Sequence, residues 1–195
     1  GIRDSSVTGV QTCALPICGA GTDQGNGIAM ASNGDVLIAG QTNGTIPTGS
    51  SGANTVYSST NAGMTDAFVG RLTTGGARLW LTYIGGAGDD FGTSIAGDNS
   101  GNAIMVGYAA ATSTNYPVTG TPAQGTMGGG QDVVISEFSS TGALTYSTFL
   151  GGTGNDIGYG VSTDNSNNFY LTGNAQTGFP TGAVTGNTSA YPTFQ

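Results

Sequence analysis

Gly85-Gly86-Ala87-Gly88-Asp89-Asp90 opens the stretch that decides the fold. It continues through an apolar run (Ile95-Ala96), the turn Asp98-Asn99-Ser100-Gly101-Asn102 and a second apolar run, Ala103-Ile104-Met105-Val106, that closes on Gly107. The pattern recurs on both sides. Gly40, Gly107 and Gly173 close the second runs at separations of 67 and 66 residues, and Asp23, Asp90 and Asp156 keep the same two separations. Gly85-Gly86 and Gly151-Gly152, like Asp66 and Asp132, stand 66 apart. A fixed period of this length is the signature of stacked structural units that share one design.

Each period is punctuated into four short strands, because every apolar stretch is a few residues long and bounded by Gly, Asn, Asp or Ser. In the middle unit one hairpin turns at Asp98 to Asn102. A second runs from Asp132 to Phe138, turns at Ser139-Ser140-Thr141-Gly142 and returns from Leu144 to Leu150. The Gly and Asn positions supply the positive φ that tight hairpins require. Several runs are apolar on both faces, which suits strands buried between two other sheets. No window carries a helical stripe. The expected fold is all-β, with antiparallel four-stranded units of the kind that form the blades of a β-propeller. Two complete units and a half unit, ten strands in all, do not close a ring, so the chain reads as an incomplete propeller and a fragment of a longer array. Units are expected at about residues 19–85, 86–151 and 152–195.

The same residues carry a family resemblance. Gly151 to Asp156, Asp98 to Asn102, Phe179-Pro180-Thr181, Asp66 to Val69 and Tyr146 to Gly152 together resemble the bacterial SBBP repeat, a glycine-rich repeat named for a seven-bladed β-propeller. The resemblance spans residues 19 to 195. It departs from the pattern at Gly97, at Ser32-Asn33-Gly34-Asp35 and at Asn167, where glycine is usual. It implies a large secreted or cell-surface bacterial protein, and it supplies no catalytic residues.

Residues 1 to 18 share nothing with the repeat and hold both cysteines, Cys13 and Cys18. Val7 to Ile17 resembles a translated sequencing adapter, so 1–18 is expected to be a non-native tail, a genuine N-terminal extension being the alternative. The repeat region is then free of cysteine, and its composition says nothing of redox compartment. No signal peptide is visible and no apolar run approaches the length that crosses a bilayer.

Three Lys+Arg stand against eleven Asp+Glu, for a net charge of −8, with no histidine and no lysine. Setting aside Arg3 and Asp4 leaves the balance unchanged. Such a surface disfavours nucleic acid and anionic membrane as partners, since both are held by clustered Lys and Arg. Without histidine the usual acid/base partner at neutral pH is missing. Asp89, Asp90, Asp132 and Glu137 are the carboxylates available for a glycoside-hydrolysing pair. Adjacent Asp89 and Asp90 point opposite ways on an extended chain, however, and Asp132 recurs as Asp66, which suits a turn or strand-start role better. No catalytic, cofactor-binding or metal-binding residue is therefore assigned.

The Gly-Gly-x-Gly-x-Asp copies also match the opening of the calcium-binding nonapeptide repeat. Those motifs recur every nine residues so that rungs share ions; copies 66 apart cannot form one ladder. A turn in which Asp accepts nearby backbone N–H groups is the preferred reading, with isolated calcium sites at unit junctions left open. Long loops at about Gln41 to Thr65, Ala109 to Gln131 and from Asn174 onward each hold an apolar-Pro step, at Ile46-Pro47, Tyr116-Pro117 and Phe179-Pro180. These steps are expected to pin the loops to the unit edges. Trp80 is expected to pack between units, and Arg71, which aligns with Glu137, to pair with it across them.

The expected function is a non-catalytic structural or binding module of the bacterial surface that displays loops, by adhesion to a protein or carbohydrate ligand, and that adjoins further blades of its own chain. The alternatives are a carbohydrate-active propeller enzyme and a calcium-stabilised adhesin.

Overall fold

The computed structural model describes residues 19–180, which leaves the adapter-like segment and the chain beyond Pro180 outside the described residues. It is all-β, with no helix among them. The first unit comprises β1 (Asp23–Met30), β2 (Val36–Thr42), β3 (Gly49–Ser50), β4 (Asp66–Leu72) and β5 (Arg78–Ile84), ordered β1-β2-β4-β5-β3 in one sheet. The second comprises β6 (Asp90–Gly97), β7 (Ala103–Ala110), β8 (Gln131–Phe138) and β9 (Leu144–Leu150) in sequential order, and β10 (Ile157–Thr163) pairs with β11 (Phe169–Asn174). Every strand pair is antiparallel. Parallel bridges, Thr65 to Asp89 and Gln131 to Asn155, link each unit to the next.

The hairpin turns use the residues their geometry demands. Gly34, Gly76, Gly101 and Gly142 all have φ between 80° and 92°. Asn167, one period after Gly101, takes φ 63°, so the unusual residue keeps the usual turn. Asparagine tolerates that region better than most side chains.

The period glycines have a different cause. Each first strand is irregular opposite the second, with register shifts at Gly25/Gly27, Gly92/Ser94 and Gly158/Gly160. Next to each shift two glycines face each other: Gly25 and Gly40, Gly92 and Gly107, Gly158 and Gly173. The bulged strand turns a carbonyl toward its partner, and a Cβ at Gly40, Gly107 or Gly173 would sit on the oxygen of Gln24, Phe91 or Ile157. Glycine here allows close approach of backbone to backbone.

The sheets stack face to face. Leu37, Ala39, Val69 and Trp80 of the first sheet share one core with Ile95, Met105, Val134 and Phe138 of the second. Ile104, Val106 and Ile135 form another core with Val161, Phe169 and Leu171 of the β10–β11 hairpin. The second sheet is thus covered on both faces, which explains β8, buried at every position after Gln131. First strands lie together, β6 touching β1 and β2 on one side and β10 on the other. Ile28, one period before the buried Ile95, is 75% exposed.

The loops lie down on their own sheets. Ile46 and Tyr116 are buried and Phe179 packs on the second apolar core, so the apolar-Pro steps do pin the loops. The sequence pattern predicts ten strands. Instead Gly49 and Ser50 pair with Leu81 and Trp80, adding an eleventh strand that covers the outer edge of β5. The second loop does the same to β9 through the Thr119–Ser147 bridge. An unpaired edge exposes donors and acceptors that would otherwise template association, so covering it is the reason for the arrangement.

Trp80 is fully buried, 5.9 Å from the ring of Phe138, and donates from Nε1 to the Ser140 carbonyl of the next unit (3.1 Å). The expected Arg71–Glu137 pair is corrected. Arg71 forms its ion pair with Asp35 of its own sheet (2.9 Å) and also donates to Asn33, to Gly101 O (2.8 Å) and to Ser140 O (3.2 Å). Glu137 accepts from Asn102 (2.9 Å). A planar five-donor guanidinium suits several carbonyls at once, which a single facing carboxylate would not satisfy.

Candidate functional site

Five aspartates repeat one local bond. Asp23, Asp66, Asp90, Asp132 and Asp156 each accept the backbone N–H four residues earlier, from Gly19, Ala62, Gly86, Gly128 and Gly152, at 2.6–2.8 Å. The turn reading of these residues therefore holds. The glycines of Gly85 to Asp90 serve a neighbour: a Cβ at Gly86 or Gly88 would collide with Thr112 to Tyr116, which lies across the turn. Gly152 and Gly154 are overlaid in the same way by Gln176 to Phe179.

The fold brings the two aspartate series together, which the linear spacing did not reveal. A side chain at Gly85 would begin 2.6 Å from Asp66 Oδ1 and 2.9 Å from Asp90 Oδ2, so the two carboxyls flank one glycine at the junction between the first and second units. Gly151 likewise abuts Asp132 at the second junction. The shared 66-residue step of Gly85/Gly151 and Asp66/Asp132 was the available signal. Both Asp66 and Asp90 are fully buried.

The donors that reach the carboxyls beyond the turn differ between the junctions, the Ser113 hydroxyl serving Asp90 Oδ2 (2.6 Å) at the first. Asp156 Oδ1 accepts the N–H of Gln176 (2.7 Å), and Asp132 Oδ2 gains the amide of Gln124 (3.1 Å). One period earlier these donors are missing: the Ala110 N–H goes to Asp89 O, and Ser58, in place of Gln124, spends its hydroxyl on Thr60 O. Asp66 Oδ1 and Asp90 Oδ1 are left buried with no hydrogen-bond partner, as is Asp132 Oδ1. Asp66 floors a cleft of about 290 Å³ shared with Tyr57, Ser58, Tyr83, Gly85, Asn115 and Pro117. Asn115 holds φ at 62° there.

Desolvation pushes the Asp66 carboxyl up to about 6, against the opposing N–H bonds of Ala62 and Gly63. Asp90 also rises to about 6, chiefly by desolvation and further through Asp66 and Asp89, against Ser113 and Gly86. A carboxyl whose folded value exceeds its unfolded one adds stability that is full below the unfolded value near 3.8 and lost as pH rises through about 6. In chelator, the melting temperature is therefore expected to be higher at pH 4.5 than at pH 7.5, and the Asp66→Asn/Asp90→Asn double variant to flatten the profile. A thermal scan showing the same slope in that variant refutes the assignment.

The four carboxylates available for hydrolysis are not gathered. Asp90 lies at the first junction, Asp132 at the second and Glu137 toward the far end of β8, while Asp89 is half-buried beside the buried Asp90. Among the described residues no group of three or more His, Cys, Asp or Glu side chains is placed to hold a metal. No helix among them is long and apolar enough to cross a membrane. No family model matches the chain, and no curated protein matches it.

Proposed function

We propose that the chain is a non-catalytic structural and binding module of a secreted or cell-surface bacterial protein, whose sheets are successive blades of a β-propeller. The observation that carries this reading is the face-to-face stacking of antiparallel sheets of five, four and two strands, with first strands adjacent and the first two loops laid along outer edges. Recurring aspartates are spent on backbone N–H groups and recurring glycines on close approach, so the repeat builds a scaffold before anything else. The exposure of Ile28, at a position buried one unit later, supports further blades of the same protein as the partner of that face. The sequence resemblance to the SBBP repeat supports the surface location.

Two measurements test the reading together. Antibody raised against the chain is expected to label intact, unpermeabilised cells of the source bacterium, and the purified chain to release no chromophore from a panel of chromogenic glycosides. Labelling only after lysis removes the surface assignment. Glycoside turnover that Asp90→Asn or Asp132→Asn abolishes replaces the module with an enzyme.

A further inference from the structure

We propose that the cleft between the first two units is a calcium site, in which Asp66 Oδ1 is a direct ligand and Asp90 supplies the second negative charge. The argument begins with charge. Two carboxyls flank Gly85 in a fully buried setting, each keeping one oxygen without a hydrogen-bond partner. Buried anions are stable when paired, hydrogen-bonded or bound to a metal. Pairing within the described chain is closed off. The sequence has no lysine or histidine, Arg71 is committed to Asp35, Asn33 and two carbonyls, and Arg78 donates to Pro47 O.

The two junctions differ in the donors that reach their carboxyls, although Asp132 Oδ1 at the second is unpartnered as well. At the second, Gln124 and the Gln176 N–H supply donors to the carboxyl pair. At the first, Ser58 and Ala110 occupy those repeat positions and supply none to Asp66 or Asp90. The first junction has one side-chain donor, the Ser113 hydroxyl on Asp90 Oδ2 (2.6 Å), and none on Asp66, which lines an open cleft.

The chemistry of the cleft selects the ion. Its polar side chains Asp66, Tyr57, Ser58 and Asn115 offer oxygen and no thiol or imidazole, which favours a hard cation, while the Tyr83 hydroxyl is held by Gly44 O and the Ile46 N–H. Asp66 is inaccessible to water, so an ion that reaches Oδ1 must shed hydration on that side. Calcium does this readily and accepts irregular coordination, whereas magnesium dehydrates reluctantly and demands an octahedron. The remaining ligands come from the cleft side chains and from water in the open half.

The test uses the full chain in chelator, in calcium chloride and in magnesium chloride, all at pH 7.5. Calcium at about a hundred times its Kd is expected to raise the melting temperature on the order of 5 °C, and magnesium by a minor fraction of that. Asp66→Asn keeps an oxygen acceptor for the Ala62 N–H and is expected to lose the calcium shift, while Asp132→Asn keeps it. A shift absent from the parent chain, equal in magnesium, or retained by Asp66→Asn overturns the proposal. Terbium gives an independent readout that stands even if Asp66→Asn does not fold. Its emission is expected to be sensitised by cleft tyrosines, competed away by calcium and reduced by Tyr57→Leu. Emission that calcium leaves unchanged, or that Tyr57→Leu leaves undiminished, places the ion elsewhere and overturns the proposal.

Discussion

Gly107→Ala is expected to destabilise the chain by at least about 3 kcal/mol, enough to abolish cooperative folding in a domain of ordinary stability. The cause is backbone against backbone. The added methyl would occupy the space of the Phe91 carbonyl, and that oxygen belongs to the bulge of β6, which lies between β1 and β10 and has no room to withdraw. A flexible side chain in the way would move; a carbonyl in a packed strand does not. Gly25→Ala is the internal control. Gly25 also belongs to a bulge and faces a glycine, but a Cβ there meets nothing within 4 Å. Its substitution is expected to change stability by no more than about 0.5 kcal/mol, or to stabilise slightly by restricting the unfolded chain. Urea unfolding followed by circular dichroism measures both. Similar midpoints for the two variants would contradict the close-approach account of the period glycines.

Trp80→Ala is expected to cost about 3–5 kcal/mol. The side chain is fully buried in the core shared by the first two sheets, rests on Phe138 and on the turn at Gly142, and donates to Ser140 O. Removing the indole opens a cavity at the interface between units, so the loss falls on their coupling as well as on either sheet. Trp80→Phe keeps most of the apolar volume and gives up the N–H bond. Ser140 O retains Arg71 as a donor, which limits the loss to about 1–2 kcal/mol. Because Trp80 is the only tryptophan, the series is followed by circular dichroism and not by fluorescence. An alanine variant within 1 kcal/mol of the parent chain would show that the units are held together by other contacts.

Much of the architecture was legible because it rests on short-range rules that repetition amplifies. The turns at Gly101, Gly142 and Asn167 follow from residues that accept positive φ. The all-β character follows from short apolar runs between such turns. Trp80 was legible too, because a large aromatic at a repeating apolar position has few places to go. Arg71 was misread because alignment one period apart identifies equivalent places in successive units, not contacts between them. Its partner is Asp35, across its own sheet and within the unit whose turn departs from the repeat pattern. β3 was missed because two residues of a loop, Gly49 and Ser50, carry no strand periodicity, and their pairing is dictated by the open edge of β5.

The candidate site marks the same boundary. By itself the sequence determined the period, the all-β hairpin character, the turn role of the aspartates and the scarcity of cations, since each depends on residue type and local spacing. Only the tertiary structure decided that Asp66 and Asp90, 24 residues apart and at the starts of strands in different sheets, meet across Gly85 with an oxygen each left over. That outcome depends on how a turn of one unit seats against the strand start of another and on which loop donors reach it. These are relations through space between separate units, set by sheet stacking, and no local rule of the chain encodes them.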